Sequence, residues 1–278
     1  MSASRLPGKV LKDIEGQPML ARVYERAQRA STIGLLAVAT TVDPADDLVA
    51  DFCAGRGYPC FRGSMHDVLD RYCQAAKSYR ADVVVRITAD CPVIDPVVVD
   101  EVVKLVSHQS SVTSNQLPVS SEQFDFACNR LPPPFSRTFP IGLDVEVCTF
   151  SALERAWKEA GQKFHREHVM PYIYESVQLS AVSDRLQTGA SPRGFRVAQL
   201  HTAPDYGSLR WTVDTPEDLD FIRQIYKRFD GRDDFSWQEI LQLVQNEPEL
   251  GRINAGVRHK TLTEIDSRSQ VESQKSSC

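Results

Sequence analysis

From residue 18 to residue 109 the chain alternates helical and strand patterning, and no other feature constrains its fold as much. Met19, Leu20, Val23, Tyr24 and Ala27 recur at helical spacing, and Pro18 suits a first helical turn over 18–30. GLLAVATT (34–41) is a continuous apolar run of the kind found in a buried strand. PADDLVADFCAG (44–55) reads as a helix ending at glycine, PCFRG as a short strand, and DVLDRYCQAAKSY (67–79) as a helix. DVVVRIT (82–88) is a strand and DPVVVDEVVKLVSHQ (95–109) a helix with valines on its inner face. Such alternation predicts an α/β layer with a mostly parallel sheet.

The second half is less regular. The polar segment 107–123 reads as a loop, and FDFACN leads to a strand at 143–150. SALERAWKEAG is expected to be a helix with a Ser151–Glu154 capping box, and FHREHVMPYIYES a helix interrupted at Pro171. FRVAQL (195–200) and LRWTV (209–213) read as strands. TPEDLDFIRQIYKRF is a helix capped by Thr215, with Pro216 at its first position and Asp218 closing the box. SWQEILQLVQN is the last helix. One domain over 1–250 and a polar, disordered tail over 251–278 are expected.

A net charge of -5 gives no global attraction to nucleic acid or a membrane, so an anionic ligand needs a local cluster of cations. No apolar run approaches the ~20 residues of a membrane helix. Seven scattered cysteines without a C-x-x-C pair point to reduced thiols in the cytoplasm.

Five constellations carry candidate chemistry. RLPGK (5–9) sets Arg5 and Lys9 around a Pro-Gly turn, which suits a polyphosphate but also describes a basic surface turn. In VVVRITADCP, Asp90 follows the tip of a strand; in LRWTVDTPED, Asp214 does the same. Strand tips are where ligands sit in open α/β sheets, although Asp before Pro also caps turns. Two such carboxylates suit Mg²⁺, which takes one or two protein carboxylates plus substrate phosphates. CFRGSMHDVLDRY places Arg62, Asp67, Asp70 and Arg71 at a strand–helix junction, where helix-end electrostatics is the alternative. Finally, Asp144, Glu146, Arg166, Glu167 and His168 could meet a polar substrate. His165 and His168 are weak as a metal pair, since no further ligand accompanies them.

In order, RLPGKVL, PML…ER, VATT, FRGS…DVLDRY, VRIT-D-CP-ID, GLDVEV, REHV-PYI and WTVDTPEDL resemble the spore coat polysaccharide biosynthesis protein F family of CMP-KDO synthetase-like cytidylyltransferases. The resemblance runs from Met1 to about Phe229. It implies a Rossmann-like nucleotidyltransferase domain of the nucleotide-diphospho-sugar transferase type. CTP would react with a hydroxyl of a sugar or sugar acid, with release of pyrophosphate. It further implies that Arg5 and Lys9 bind the triphosphate and act in catalysis, and that Asp90 and Asp214 hold Mg²⁺. Arg62, Asp70, Arg71 and Thr88 would lie near the nucleotide, and Asp144, Glu146, Arg166, Glu167 and His168 near the sugar. A cytoplasmic homodimer without nucleic-acid or membrane partners goes with this reading. A glycosyltransferase of similar fold and an inactive nucleotide-binding paralogue are the alternatives.

Two departures stand out. Ile141 occupies a position where the family carries aspartate, which bears on sugar specificity. The family also opens with an apolar strand and a stretch like Q-A-R-M-G-S-T-R-L-P-G-K; this chain starts at the methionine of that stretch. The expectation is therefore a sheet without its first strand, through a truncated gene model, an alternative start or a degraded paralogue.

Overall fold

The structure is a computed structural model that describes residues 5–107 and 123–258. The expected loop at 107–123 and the tail beyond 258 lie largely outside the described residues. A 3-10 turn (Lys9–Leu11) and a minimal hairpin, β1 (Asp13–Ile14) and β2 (Gln17–Pro18), lead into α1 (Met19–Ala27). Then come β3 (Val38–Thr41), α2 (Asp47–Arg56), β4 (Cys60–Gly63), α3 (Val68–Ser78), β5 (Val83–Arg86) and α4 (Pro96–Val106). β6 (Phe126–Cys128) and β7 (Glu146–Thr149) precede α5 (Phe150–Glu159), α6 (Lys163–His168) and α7 (Pro171–Tyr174). A hairpin of β8 (Gln178–Ser183) and β9 (Leu186–Ala190) runs into β10 (Arg196–Leu200). Three helices follow: α8 (Pro216–Arg228), α9 (Trp237–Asn246) and α10 (Pro248–Arg252).

Six strands form one sheet in the order β5-β7-β6-β10-β9-β8, while β3 and β4 pair separately. The α/β class stands, but the sheet is mixed. β3–β4 and β6–β10 are parallel; β7 runs antiparallel to both its neighbours, and the β8–β9 hairpin extends the sheet antiparallel from β10. Side chains alternate between two cores, as a pleated strand requires. Ala127, Val147 and Ala198 join a core that includes residues of α1, α4, α8 and α9. Phe126, Cys128, Cys148 and Val197 point to the opposite face, into a core with α3, α5 and α7. Helices thus cover the sheet on both sides.

Local chemistry sets several boundaries. α8 begins with the expected box: Thr215 accepts from the Asp218 N–H and the Asp218 side chain returns to the Thr215 N–H, with Pro216 next. α4 starts with Asp95 accepting from Val97 and Val98 N–H. α2 ends at Gly57 rather than Gly55, because Gly57 takes the left-handed conformation that releases the chain. The box expected at Ser151 is absent: Thr149 caps α5 by accepting from Ala152 N–H, and Glu154 pairs instead with Lys158 and Lys77. The run 34–41 is strand only from Val38 and is not buried; Leu35 is 54% exposed. The segment 209–213 is extended but forms only a single bridge, Ile141 to Arg210.

Candidate active site

The turn after Arg5 brings Gly8 into the left-handed region, with φ 66°, and so starts the 3-10 turn at Lys9. Lys9 Nζ donates to Asp90 Oδ2 at 2.8 Å, Asp214 Oδ1 at 2.9 Å and the Val213 carbonyl at 2.8 Å. Its three N–H groups are therefore all engaged. Asp90 and Asp214, 124 positions apart in sequence, converge on one ammonium. The backbone holds them there: Val213 N–H donates to the Asp90 carbonyl at 2.9 Å, and Thr212 Oγ1 to the same oxygen at 3.0 Å.

Asp214 is also gripped from behind. Its Oδ2 meets Arg5 at 3.0 Å and Arg210 at 2.9 Å. Arg210 forks onto both oxygens of Asp218 at 2.8 Å, and Asn254 Nδ2 donates to Asp218 Oδ1 at 3.0 Å. Asn254 lies beyond the expected boundary at 250 and is buried. Burial alone would raise the Asp214 pKa; the Lys9 ammonium, with Arg210 and Arg5, reverses this and pulls it down to about 2. Burial alone would lower the Lys9 pKa, and Asp90 and Asp214 outweigh it, so the ammonium is held above its ordinary value. Both groups are fixed in their charged forms at neutral pH.

A cavity of about 160 Å³ opens beside this cluster, lined by Thr88, Asp90, Asp144, Glu146, His168 and Asp214 among others. This is below the ~300 Å³ of an ordinary small-molecule site. Gly142 shapes its rim. At φ 110°, a Cβ there would lie 2.6 Å from Trp211 and Thr212 backbone atoms, so only glycine lets the two segments meet. Asp144 is braced by a two-pronged contact from Arg137, and Glu146 pairs with the Arg86 guanidinium. Ile141 lines the same cavity.

The structure thus brings Arg5, Lys9, Thr88, Asp90, Asp144, Glu146, His168 and Asp214 to one place. It places the remaining candidates away from the cavity lining. Arg62 donates to the Thr41 carbonyl at 2.9 Å and pairs with Asp47. Asp70 accepts from Trp157 Nε1 at 2.8 Å, and Arg71 donates to the Ser64 carbonyl at 2.6 Å. Arg166 is spent on Asp67 and the Trp157 carbonyl. Glu167, its neighbour, does not line the cavity. His165 is buried against Glu175, and no cluster of three or more metal-binding side chains occurs among the described residues. Sequence reading missed Arg210 and Arg130. Arg210 lies within LRWTVD, four residues before Asp214, a spacing that signals a pair only once a helix or turn is known. Arg130 lines the cavity and has no ion pair among the described residues.

An α/β sheet covered on both faces thus sets a cationic glycine turn against two carboxylates, Asp90 and Asp214. Residues 1–240 match the Cytidylyltransferase family. Spore coat polysaccharide biosynthesis protein SpsF of Bacillus subtilis is 28% identical over 90% of this chain and 92% of its own. The 3-deoxy-manno-octulosonate cytidylyltransferase of Geotalea uraniireducens is 27% identical over 82% and 96%. A solved cytidylyltransferase from Leptospira borgpetersenii superposes with a TM-score of 0.76 at 27% identity, covering 93% of this chain and 95% of that one. The chain belongs to the cytidylyltransferase family.

Proposed function

We propose that this chain transfers CMP from CTP to a hydroxyl of a sugar acid and releases pyrophosphate. The observation that carries the reading is the convergence of Asp90 and Asp214 on Lys9, with Arg5 on the outer side of Asp214. In-line attack on an α-phosphate concentrates negative charge on the leaving pyrophosphate, and fixed cations lower that barrier without covalent chemistry. Lys9 and Arg5 are the cations for that task. The relative from Geotalea uraniireducens is named for a sugar acid, which supports an acidic acceptor here. In the cavity Glu146 neutralises Arg86, which leaves Arg130 to meet the acceptor's carboxylate.

The donor set fits a divalent ion. Asp90 offers Oδ1, which receives only the weak donor Cys91 Sγ at 3.7 Å, and Asp214 lies across Lys9 from it. Asp90 and Asp214 would hold Mg²⁺, which when bound supplies charge neutralisation to the phosphates. Lys9 donates to the same carboxylates in this structure, so the two aspartates would hold the ion where Lys9 turned to the triphosphate. The family resemblance extends the reading to a cytoplasmic homodimer. Six free cysteines among the described residues agree with a reducing compartment, and no described helix is long and apolar enough to cross a membrane.

The test is pyrophosphate release from a panel of nucleoside triphosphates and sugars, with and without Mg²⁺. Release that requires CTP, a sugar acid and the metal is expected. Lys9→Ala should lower turnover by about 100-fold or more. Arg130→Gln should raise KM for the acid about ten-fold with kcat little changed. Absence of release from every combination overturns the reading.

A further inference from the structure

α6 and α7 join through a turn that few residues can hold. Val169, between them, has φ 73° and ψ -61°, and the Met170 N–H donates to the His168 carbonyl at 2.9 Å. These are the marks of a γ-turn of the rare, strained kind. A β-branched residue is disfavoured at positive φ, so its surroundings impose the conformation. Val169 and Met170 are wholly buried, in the core shared with α3, α5 and α7. On either side of the turn a residue lines the candidate active cavity: His168 just before it, and Tyr174 at the end of α7.

The aim of His168 therefore depends on what fixes α6. The helix has six residues, too few to be stable by itself. Its only buried residue is His165, whose Nε2 meets Glu175 Oε2 at 3.2 Å; Arg193 donates to the same oxygen at 2.8 Å. Apolar burial thus does little to set its direction. Arg166 holds it more firmly. Its Nε donates to Asp67 Oδ2 at 2.9 Å and Oδ1 at 3.1 Å, a second nitrogen also reaches Oδ2, and the third donates to the Trp157 carbonyl at 2.6 Å. One guanidinium ties α6 to the start of α3 and to α5. Asp67 is itself fixed, because it caps α3 by accepting from the Asp70 N–H at 2.8 Å, and Asp70 accepts from Trp157 Nε1 at 2.8 Å. Forked, charge-assisted contacts of this kind are directional, and a point charge on a flexible stem does not reproduce them.

We propose that Arg166 is a positioning residue: clamped between Asp67 and the Trp157 carbonyl, it fixes α6 and, through the turn at Val169, the direction in which His168 meets the acceptor. The inference rests on the acceptor reading of the cavity and adds the device that aims it. A displacement of about 1 Å can cost on the order of 100-fold in rate, so α6 need not unfold for the loss to appear.

The experiment measures kcat and both KM values for Asp67→Asn, Arg166→Gln, Arg166→Lys, His168→Ala, and the doubles of Arg166→Gln with each of the other two sites. Asn keeps the α3 cap, and Asp67 and Arg166 are both partly exposed, so the fold survives. Arg166→Gln should lower kcat about 10- to 100-fold with KM for CTP unchanged, and Arg166→Lys should fall between it and the unmodified chain. Asp67→Asn should lose as much, and neither double should lose more than Arg166→Gln alone. An indifferent Asp67→Asn beside a damaged Arg166→Gln overturns the proposal, since the arginine would then touch substrate itself. Losses of Arg166→Gln and His168→Ala that multiply also overturn it. In parallel, the His168 ring C–H resonance, assigned by its disappearance in His168→Ala, should shift in Asp67→Asn and Arg166→Gln. It should stay in place in Arg232→Gln, whose pair with Asp234 is exposed. An unmoved resonance in the first two overturns the proposal. If the unmodified chain releases no pyrophosphate from any combination, the reaction reading alone fails, and this resonance decides the clamp by itself.

Discussion

β3–β4 and the six-stranded sheet are built from similar residues and end up in different states. β6 reads Phe-Ala-Cys and is fully buried; β3 reads Val-Ala-Thr-Thr and is mostly half-exposed. The difference is in their neighbours. β6 has a strand on each side and helices on both faces, whereas β3, among the described residues, has a strand on one side only. Apolar composition sets which residues can be buried; pairing on both edges decides which are.

That contrast can be broken or sharpened by measurement. Phe126→Ala, at a fully buried position in β6, should cost about 3–5 kcal/mol in denaturant unfolding. Phe61→Ala in β4, whose strand is only partly buried, should cost well under half of that. Equal losses would show that both sheets carry the same weight.

A smaller effect concerns the strand tips. The Asp214 carboxyl lies at about 2 in the fold against an ordinary 3.8, so the unfolded chain takes up the proton first as pH falls. Its contribution is intact above about pH 4 and is lost as the pH drops through about 2, on the order of 2 kcal/mol in all. Asp214→Asn should flatten Tm against pH in that window. A profile identical to that of the unmodified chain would mean that Lys9 and Arg210 do not hold the carboxylate in solution.

What the sequence disclosed was local. The strand-then-aspartate pattern at 83–90, the apolar run before Asp214 and the capping box at 215–218 need only near neighbours, and the site candidates Asp90 and Asp214 follow from them, although 209–213 is no strand in the structure. The β8–β9 hairpin was illegible because QLSAVS and LQTGA lack apolar alternation; β9 takes its place from the edge of β10. Gly189 shows how close that pairing is, since a Cβ there would lie 1.9 Å from the Gln178 carbonyl oxygen. The extended run 209–213 forms no ladder because its carbonyl and N–H groups go to Asp90 and Ile141 instead. Arg166 and Arg62 hold partners, Asp67 and the Thr41 carbonyl, that lie too far along the chain for any local pattern to reveal.

The ionic cluster around Lys9 has a consequence for encounter rates. Asp90, Asp214 and Asp218 are matched by Arg5, Lys9 and Arg210, so this patch carries no monopole. With the whole chain at -5, the net charge repels an approaching polyanion. Nucleotide capture should then be slow to start and quicken as added salt screens the repulsion, with its specificity exercised only after contact.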